Sequence, residues 1–114
     1  MDLMWFLFLA HLTGDYALQS DRIAAEKGRR TAILTWHVAI YVACIGATLW
    51  IYAAFTSKYD FLNSPAPLSL LPLFGLHWIQ DFVKSRYFGQ SKQAYYADQV
   101  IHLAQLYAIR LLLP

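Results

Sequence analysis

Charged residues are scarce in this 114-residue chain, and their scarcity excludes most soluble folds. Asp, Glu, Lys and Arg make up 14% of the sequence, against roughly 25% in a typical soluble domain, whereas apolar types make up 59%. A single domain of this length cannot bury that much apolar surface in water. The composition therefore predicts an integral membrane protein.

The sequence has one cysteine and lacks the patterns of a signal peptide and of common nucleotide-binding and catalytic motifs. The single Cys44 excludes an internal disulfide. Residues 1–10 lack the basic n-region and the cleavage site of a signal peptide, so we expect this segment to remain as the first helix. No nucleotide-binding loop, nucleophile elbow or zinc-finger spacing occurs. The few basic residues are explained by membrane topology, and nucleic-acid binding is not expected.

Four apolar stretches approach the roughly 20 residues that cross a bilayer as a helix. They cover about residues 3–19, 31–55, 68–84 and 97–113, and they predict one all-α domain over residues 1–114, an integral membrane four-helix bundle. Seven of the nine basic residues follow the first and third stretches: Arg22, Lys27, Arg29, Arg30, Lys84, Arg86 and Lys92. The positive-inside rule places these two connections in the cytoplasm and both termini outside it.

Each predicted helix carries one histidine within its apolar run. Three of them have an aspartate four positions away, a spacing that puts both side chains on one helical face. The pairs are His11 with Asp15, His77 with Asp81, and His102 with Asp98, while His37 has Tyr41 at that spacing. With a rise of about 1.5 Å per residue, these polar residues collect in the cytoplasmic half of the bilayer. Since ionisable groups in lipid face the bundle interior and pair there, we expect one common pocket.

Three interpretations of this polar layer remain open: a structural hydrogen-bond network between helices, a metal site, and a proton or ion path. The metal hypothesis draws on neutral imidazole and carboxylate ligands from facing helices. Its ion is zinc, with manganese or iron as alternatives, and its candidate ligands are His11, Asp15, His37, His77, Asp81, Asp98 and His102. Seven candidates exceed the three protein ligands of a catalytic zinc. Either some of them orient the ligands from outside, or two ions are held.

These polar residues also carry a resemblance. The pattern H-x3-D-x3-Q is present as His11, Asp15 and Gln19, H-V-x2-Y begins at His37, H-x3-D-x2-K begins at His77, and D-Q-x2-H begins at Asp98. In these motifs the chain resembles an uncharacterised family of small bacterial inner-membrane proteins, a domain of unknown function. Residues 25–27 also suit that family's short loop. The resemblance implies a four-helix, multi-pass protein of the bacterial inner membrane, and it implies no activity.

A bound divalent ion lowers the pKa of its water to roughly 7 and supplies hydroxide at neutral pH. In such a site Asp15 is our candidate general base. Lys84, at the cytoplasmic rim, could hold a phosphate, although anchoring at lipid headgroups explains it as well. The working hypothesis is a metal-dependent hydrolase of a lipid-borne ester or phosphoester, with membrane lipids as partners.

Two other classes of function stay open, a non-catalytic membrane scaffold and a proton, ion or small-molecule transport component. Transport would need a cavity that reaches both faces, which leaves a homo-oligomer open. The outer half of the predicted bundle has almost no ionisable residue within it, and this argues against a polar path through one chain.

Overall fold

The computed structural model describes residues 2–17, 20, 22–23, 29–88 and 92–113, and these contain four α-helices of ten residues or more and no strand. The helices are α1 (Leu3–Leu12), α2 (Thr31–Thr56), α3 (Ala66–Val83) and α4 (Lys92–Leu111). The all-α class is thereby confirmed. Gln19 and residues 25–27, which carried parts of the predicted motifs, lie outside the described ranges.

Two of the helices end in a wider turn rather than at a cap. α1 continues into a π-helical turn over Thr13–Ala17, and α3 continues into another over Lys84–Phe88. A π-helical turn bonds residue i to i+5, and such turns occur often at functional sites. Both turns lie at the same end of the molecule, the end at which the basic connections were predicted.

At the opposite end of the bundle, helix caps and an ion pair define where the helices begin and end. Asp2 caps α1 by accepting from the Met4 N–H at 2.8 Å, which satisfies one of the first free donors of the helix. α2 ends where Ser57 adopts the left-handed conformation, with φ of 55°. The Arg110 guanidinium of α4 donates to Asp2 at 2.9 Å and lowers the pKa of that carboxyl. This ion pair joins the start of α1 to the end of α4.

Each helix packs against two neighbours, in the order α1–α2, α2–α3, α3–α4 and α4–α1. Successive helices run antiparallel, since the buried polar residues lie toward the end of α1 and α3 and toward the start of α2. The interior has two layers along its length. One is apolar and is built from side chains such as Leu3, Leu7, Ile45, Leu49 and Leu106. The other, toward the basic end, is polar and contains buried histidines and aspartates.

The outer surface is apolar to an unusual degree. Phe55 is 87% exposed, Leu68 72% and Leu71 70%, and Trp36 and Trp50 are also exposed. By length and composition alone, one helix among the described residues could cross a membrane: α2, with a mean hydropathy of 2.0. α1 is apolar but shorter.

A close approach between α1 and α2 in the polar half involves Gly14, in the π-helical turn after α1. A Cβ atom at this position would lie 3.1 Å from both Cα and Cδ2 of Tyr41 on α2. Tyr41 is fully buried, and its backbone cannot yield as a flexible side chain can. The glycine therefore permits α1 to reach α2 at the depth of the polar layer.

We predict that Gly14→Ala lowers the stability of the bundle by about 1–3 kcal/mol, because the methyl group overpacks a rigid contact. The thermal unfolding midpoint in detergent measures the effect. Gly75→Ala is the matched control, since a Cβ at Gly75 on α3 meets nothing within 4 Å. That control should be neutral or stabilising, by up to about 1 kcal/mol, through helix propensity. Equal unfolding midpoints for the two variants would contradict the close approach.

Candidate metal centre

The polar layer is assembled from all four helical segments at one level of the bundle. Asp15 comes from the turn after α1, His37 from the first third of α2, and Asp81 from the last turn of α3. His77 lies one turn before Asp81, and Asp98 and His102 face them from the central part of α4. All six side chains are buried, and His77 and His102 have no exposed surface.

Four of these side chains converge on one point. His37 Nε2 lies 3.1 Å from Asp15 Oδ1 and 3.0 Å from Asp81 Oδ2. His77 Nε2 lies 3.6 Å and 3.5 Å from the same two oxygens. One nitrogen or oxygen from each of the four residues falls within 4.8 Å of all the others. These buried groups could therefore hold a metal ion.

The distances are compatible both with hydrogen-bonded ion pairs and with ligands that share one ion. Zinc binds imidazole nitrogen and carboxylate oxygen at roughly 2.0–2.1 Å, so tetrahedral ligand atoms are about 3.3–3.4 Å apart. The four nitrogen–oxygen distances, 3.0 to 3.6 Å, span that value. Within the described ranges, Asp15 Oδ1 and His77 Nε2 have no partner in hydrogen-bond geometry. Buried polar atoms are normally satisfied, and a shared ion at their common centre would satisfy both.

A second group of three residues adjoins the first. His102 Nε2 lies 3.2 Å from Asp98 Oδ1 and 3.4 Å from Asp81 Oδ1. One ligand atom from each of these three residues lies within 4.8 Å of the other two. Asp81 belongs to both groups, through a different oxygen in each.

Aromatic stacking holds the imidazole rings in place. The Tyr41 ring stacks on His77 at 3.9 Å with a 19° interplanar angle, and His77 stacks on His102 at 4.1 Å and 26°. The three rings come from three different helices. The stack restricts rotation of both imidazole rings about the Cβ–Cγ bond and therefore sets the direction of their Nε2 atoms.

His11 has other partners. Its Nδ1 lies 2.8 Å from the Tyr41 hydroxyl, and its Nε2 lies 2.7 Å from Gln99 Oε1. Because the Gln99 amide nitrogen donates to Asp98 Oδ2 at 3.1 Å, its carbonyl oxygen faces His11. His11 therefore donates from Nε2 and accepts the Tyr41 hydroxyl at Nδ1. The chain of bonds runs from Tyr41 through His11 and Gln99 to Asp98.

A family model described as a protein of unknown function (DUF3307) matches residues 3–113. The chain belongs to the DUF3307 family. This confirms the resemblance to an uncharacterised family. No curated protein and no solved structure matches the chain.

Two glutamines of this DUF3307 chain support Asp98 from outside the two groups. Gln80 Nε2 donates to Asp98 Oδ1 at 2.8 Å and to the Asp98 carbonyl at 2.7 Å. Gln105 Nε2 donates in turn to Gln80 Oε1 at 2.9 Å. Sequence reasoning missed Gln80, Gln105 and the role of Tyr41. A usable indication was present for Gln105, because it lies three positions after His102, on the same inward face of α4.

Six of the seven predicted ligands lie in the two groups, and His11 does not. Asp15 and Lys84, our sequence-based candidates for catalysis, fall in different places: Asp15 lies within the first group, and Lys84 Nζ lies 3.7 Å from Asp98 Oδ2 at the edge of the layer. His11 lies outside both groups, with each ring nitrogen in a hydrogen bond. The residues brought together in the two groups are Asp15, His37, His77, Asp81, Asp98 and His102.

Proposed function

We propose that this DUF3307 protein is an integral membrane metalloprotein whose four-helix bundle binds zinc in its polar layer and hydrolyses a lipid-borne phosphoester at the inner leaflet. The observation that carries the proposal is the convergence of Asp15, His37, His77 and Asp81 on one buried point. The membrane, the ion and the reaction are supported by different features of the chain, and each has its own test.

The membrane assignment is supported by an inside-out distribution of side chains. Among the described residues, eight polar or charged ones are buried, whereas many large apolar side chains are exposed on every helix. In water this arrangement would leave large apolar patches in contact with solvent. In lipid the same surface faces acyl chains, and the ionisable groups face the bundle interior. The molecule's long dimension of 42 Å is also close to the ~40–45 Å of a bilayer with its headgroups.

The mean hydropathy of α3 and α4 underestimates how apolar their outer faces are, because their polar residues point into the bundle. α3 contains His77, Gln80 and Asp81, and α4 contains Asp98, Gln99 and His102. These residues lower the mean hydropathy of each helix, yet they contact one another inside the bundle. The lipid-facing side of α3 is formed by exposed residues such as Leu68, Leu71, Leu76 and Ile79.

The proposed orientation places the polar layer on the cytoplasmic side and Lys58 on the other. In a Cys44→Ala background, we predict that Lys58→Cys reacts with a membrane-impermeant maleimide in intact bacterial spheroplasts. Arg29→Cys should react only after the cells are permeabilised. Both positions are exposed in the structure, so access is limited by the bilayer alone. Equal labelling of the two cysteines in intact spheroplasts would reject the topology.

Zinc is proposed because the donor set suits it. Two imidazole nitrogens and two carboxylate oxygens are typical zinc ligands, and the four nitrogen–oxygen distances here are 3.0 to 3.6 Å. An ion would also offset the cost of burying the Asp15 carboxylate in the bundle interior. Asp15 lies among the converging atoms, so we propose it as a ligand rather than as a general base.

The metal centre is tested by elemental analysis of protein purified in mild detergent without chelators. We expect at least one zinc ion per chain in the wild type and the loss of at least one ion in His77→Ala. His11→Ala is the matched control, because it makes the same truncation of a buried histidine in the same layer. It should retain the wild-type metal content, with unchanged helix content by circular dichroism. Metal-free wild-type protein would refute the proposed function.

The reaction is suggested by a cleft of about 400 Å³ between α3 and α4. Its walls are mainly apolar, with Val83, Ala97 and Ile101 among them, and its polar wall contains Lys84 and Asp98. A lipid chain can lie along the apolar walls while its phosphate reaches the Lys84 ammonium. The cleft therefore suits a headgroup phosphate presented from the bilayer, and it lies beside the metal centre.

Hydrolysis is tested with zinc-loaded protein and a fluorescent phosphatidic acid in mixed micelles. We expect metal-dependent release of phosphate, and a kcat/KM at least about tenfold lower in Lys84→Gln, since one charge-assisted contact contributes about 1.5–3 kcal/mol. Lys92→Gln is the control, because Lys92 is exposed and lies outside the cleft. The absence of hydrolysis above the protein-free rate, or equal losses in the two variants, would argue against this reaction.

A further inference from the structure

We infer that the centre holds two divalent ions rather than one. Asp81 bridges them, and the second ion, bound by Asp98 and His102, is the one open to the phosphoester. The inference rests on the metal centre proposed above and deepens it by assigning the reacting ion.

The Asp81 carboxylate has the geometry of a bridge. Its Oδ2 faces His37 and His77 at 3.0 and 3.5 Å. Its Oδ1 faces His102 at 3.4 Å. The two oxygens of one carboxylate are thus directed at histidines of opposite groups. Centres with two metal ions hold them roughly 3.5–4 Å apart, a separation that a bridging carboxylate can span.

His102, like His77 in the first group, has a buried ring nitrogen without a partner in hydrogen-bond geometry among the described residues. It is fully buried, and among the described residues its Nε2 has no partner in hydrogen-bond geometry, although two carboxylate oxygens lie within 3.4 Å. Stacking on His77 sets the plane of its ring. A buried imidazole nitrogen directed between two carboxylates is the environment that a metal ion requires.

Asp98 remains able to bind an ion despite its other contacts. Its Oδ1 accepts from Gln80, and its Oδ2 accepts from Gln99 and lies 3.7 Å from Lys84 Nζ. Each carboxylate oxygen has two lone pairs, so the bond from Gln80 leaves one available on Oδ1. Hydrogen bonds of this kind to a ligating carboxylate orient it toward the metal.

The two positions differ in how many protein ligands they receive. The first draws on four residues, the number typical of a closed, structural zinc site. The second draws on three, namely Asp81, Asp98 and His102, which is the number that leaves a coordination position open for water or substrate. Of the proposed ligands, Asp98 alone lines the cleft between α3 and α4, so we assign the open position to the second ion, whose ligand borders the proposed binding place of the lipid phosphate.

Charge balance points to the same substrate class. Among the described residues of the centre, the three carboxylates and Lys84 carry three negative charges and one positive charge when the histidines are neutral, and one divalent ion balances them. A second ion leaves two positive charges, which a phosphomonoester dianion would balance. In its hydrolysis, water provides the OH that bonds to phosphorus and the proton that leaves with the lipid alcohol as the P–O bond breaks. Water is therefore the only co-reactant.

Manganese titration of the metal-free protein tests the second ion without reference to activity. We expect wild-type protein to bind two Mn²⁺ per chain and to show the exchange-coupled electron paramagnetic resonance spectrum of a close pair. Asp98→Asn and His102→Ala should each bind one Mn²⁺ and show an uncoupled six-line spectrum. Ser69→Ala is the control for a buried polar substitution on α3 outside the polar layer, and it should retain the coupled pair.

The outcomes separate this inference from the proposed function. Wild-type protein that saturates at one ion, or that binds two ions without coupling, overturns the inference and leaves the metal centre in place. Loss of both ions in Asp98→Asn, with helix content and elution volume unchanged, also overturns it, because the two positions would then not be separate. Wild-type protein that binds neither zinc nor manganese overturns the proposed function itself.

Discussion

The arrangement of the bundle depends on one constraint: three carboxylates are buried in an interior of low dielectric and must be compensated there. Asp81 is the most connected of them, with histidines of α2, α3 and α4 within 3.6 Å. Asp15 extends the same contacts to the end of α1. Sliding any helix by one turn, about 5.4 Å, would leave a carboxylate without its partners. The polar layer therefore determines the register of all four helices, more directly than the apolar layer does.

Much of the fold and of the site could be predicted from the sequence, because both rest on local periodicity. The length of α2 follows from its continuous apolar run, and the inward face of α3 follows from the spacing of His77 and Asp81. α4 begins at Lys92 rather than at Ala97, because a hydropathy criterion passes over polar residues that still form helix. What could not be predicted is the difference between His11 and His77. Both have an aspartate four positions later, but the partners that distinguish them, Tyr41 and Gln99, lie far away in sequence.

The π-helical turn after α1 gives a physical reason for that difference. Residues four apart lie above one another in an α-helix, and the wider i to i+5 winding of a π-helical turn disturbs this alignment. His11 lies before the turn and Asp15 lies within it. Asp15 Oδ1 accordingly faces His37 and His77, while His11 faces Tyr41 and Gln99. In α3 the two residues with the same spacing, His77 and Asp81, both lie in regular α-helix, and both point to the same centre.

For a bundle in lipid, association of the helices and binding of the ions become one process. Apolar burial does not drive helices together when the solvent is itself apolar, so packing and polar contacts must do so. The proposed ligands come from all four helical segments, and separated helices cannot offer the same site. Ions that bind only the assembled state stabilise it in proportion to their affinity and concentration, and the free energy of binding becomes free energy of folding. The residues that would bind and activate a substrate are then the same residues that hold the helices together. In the proposed centre, activity and stability would therefore be linked through the ions.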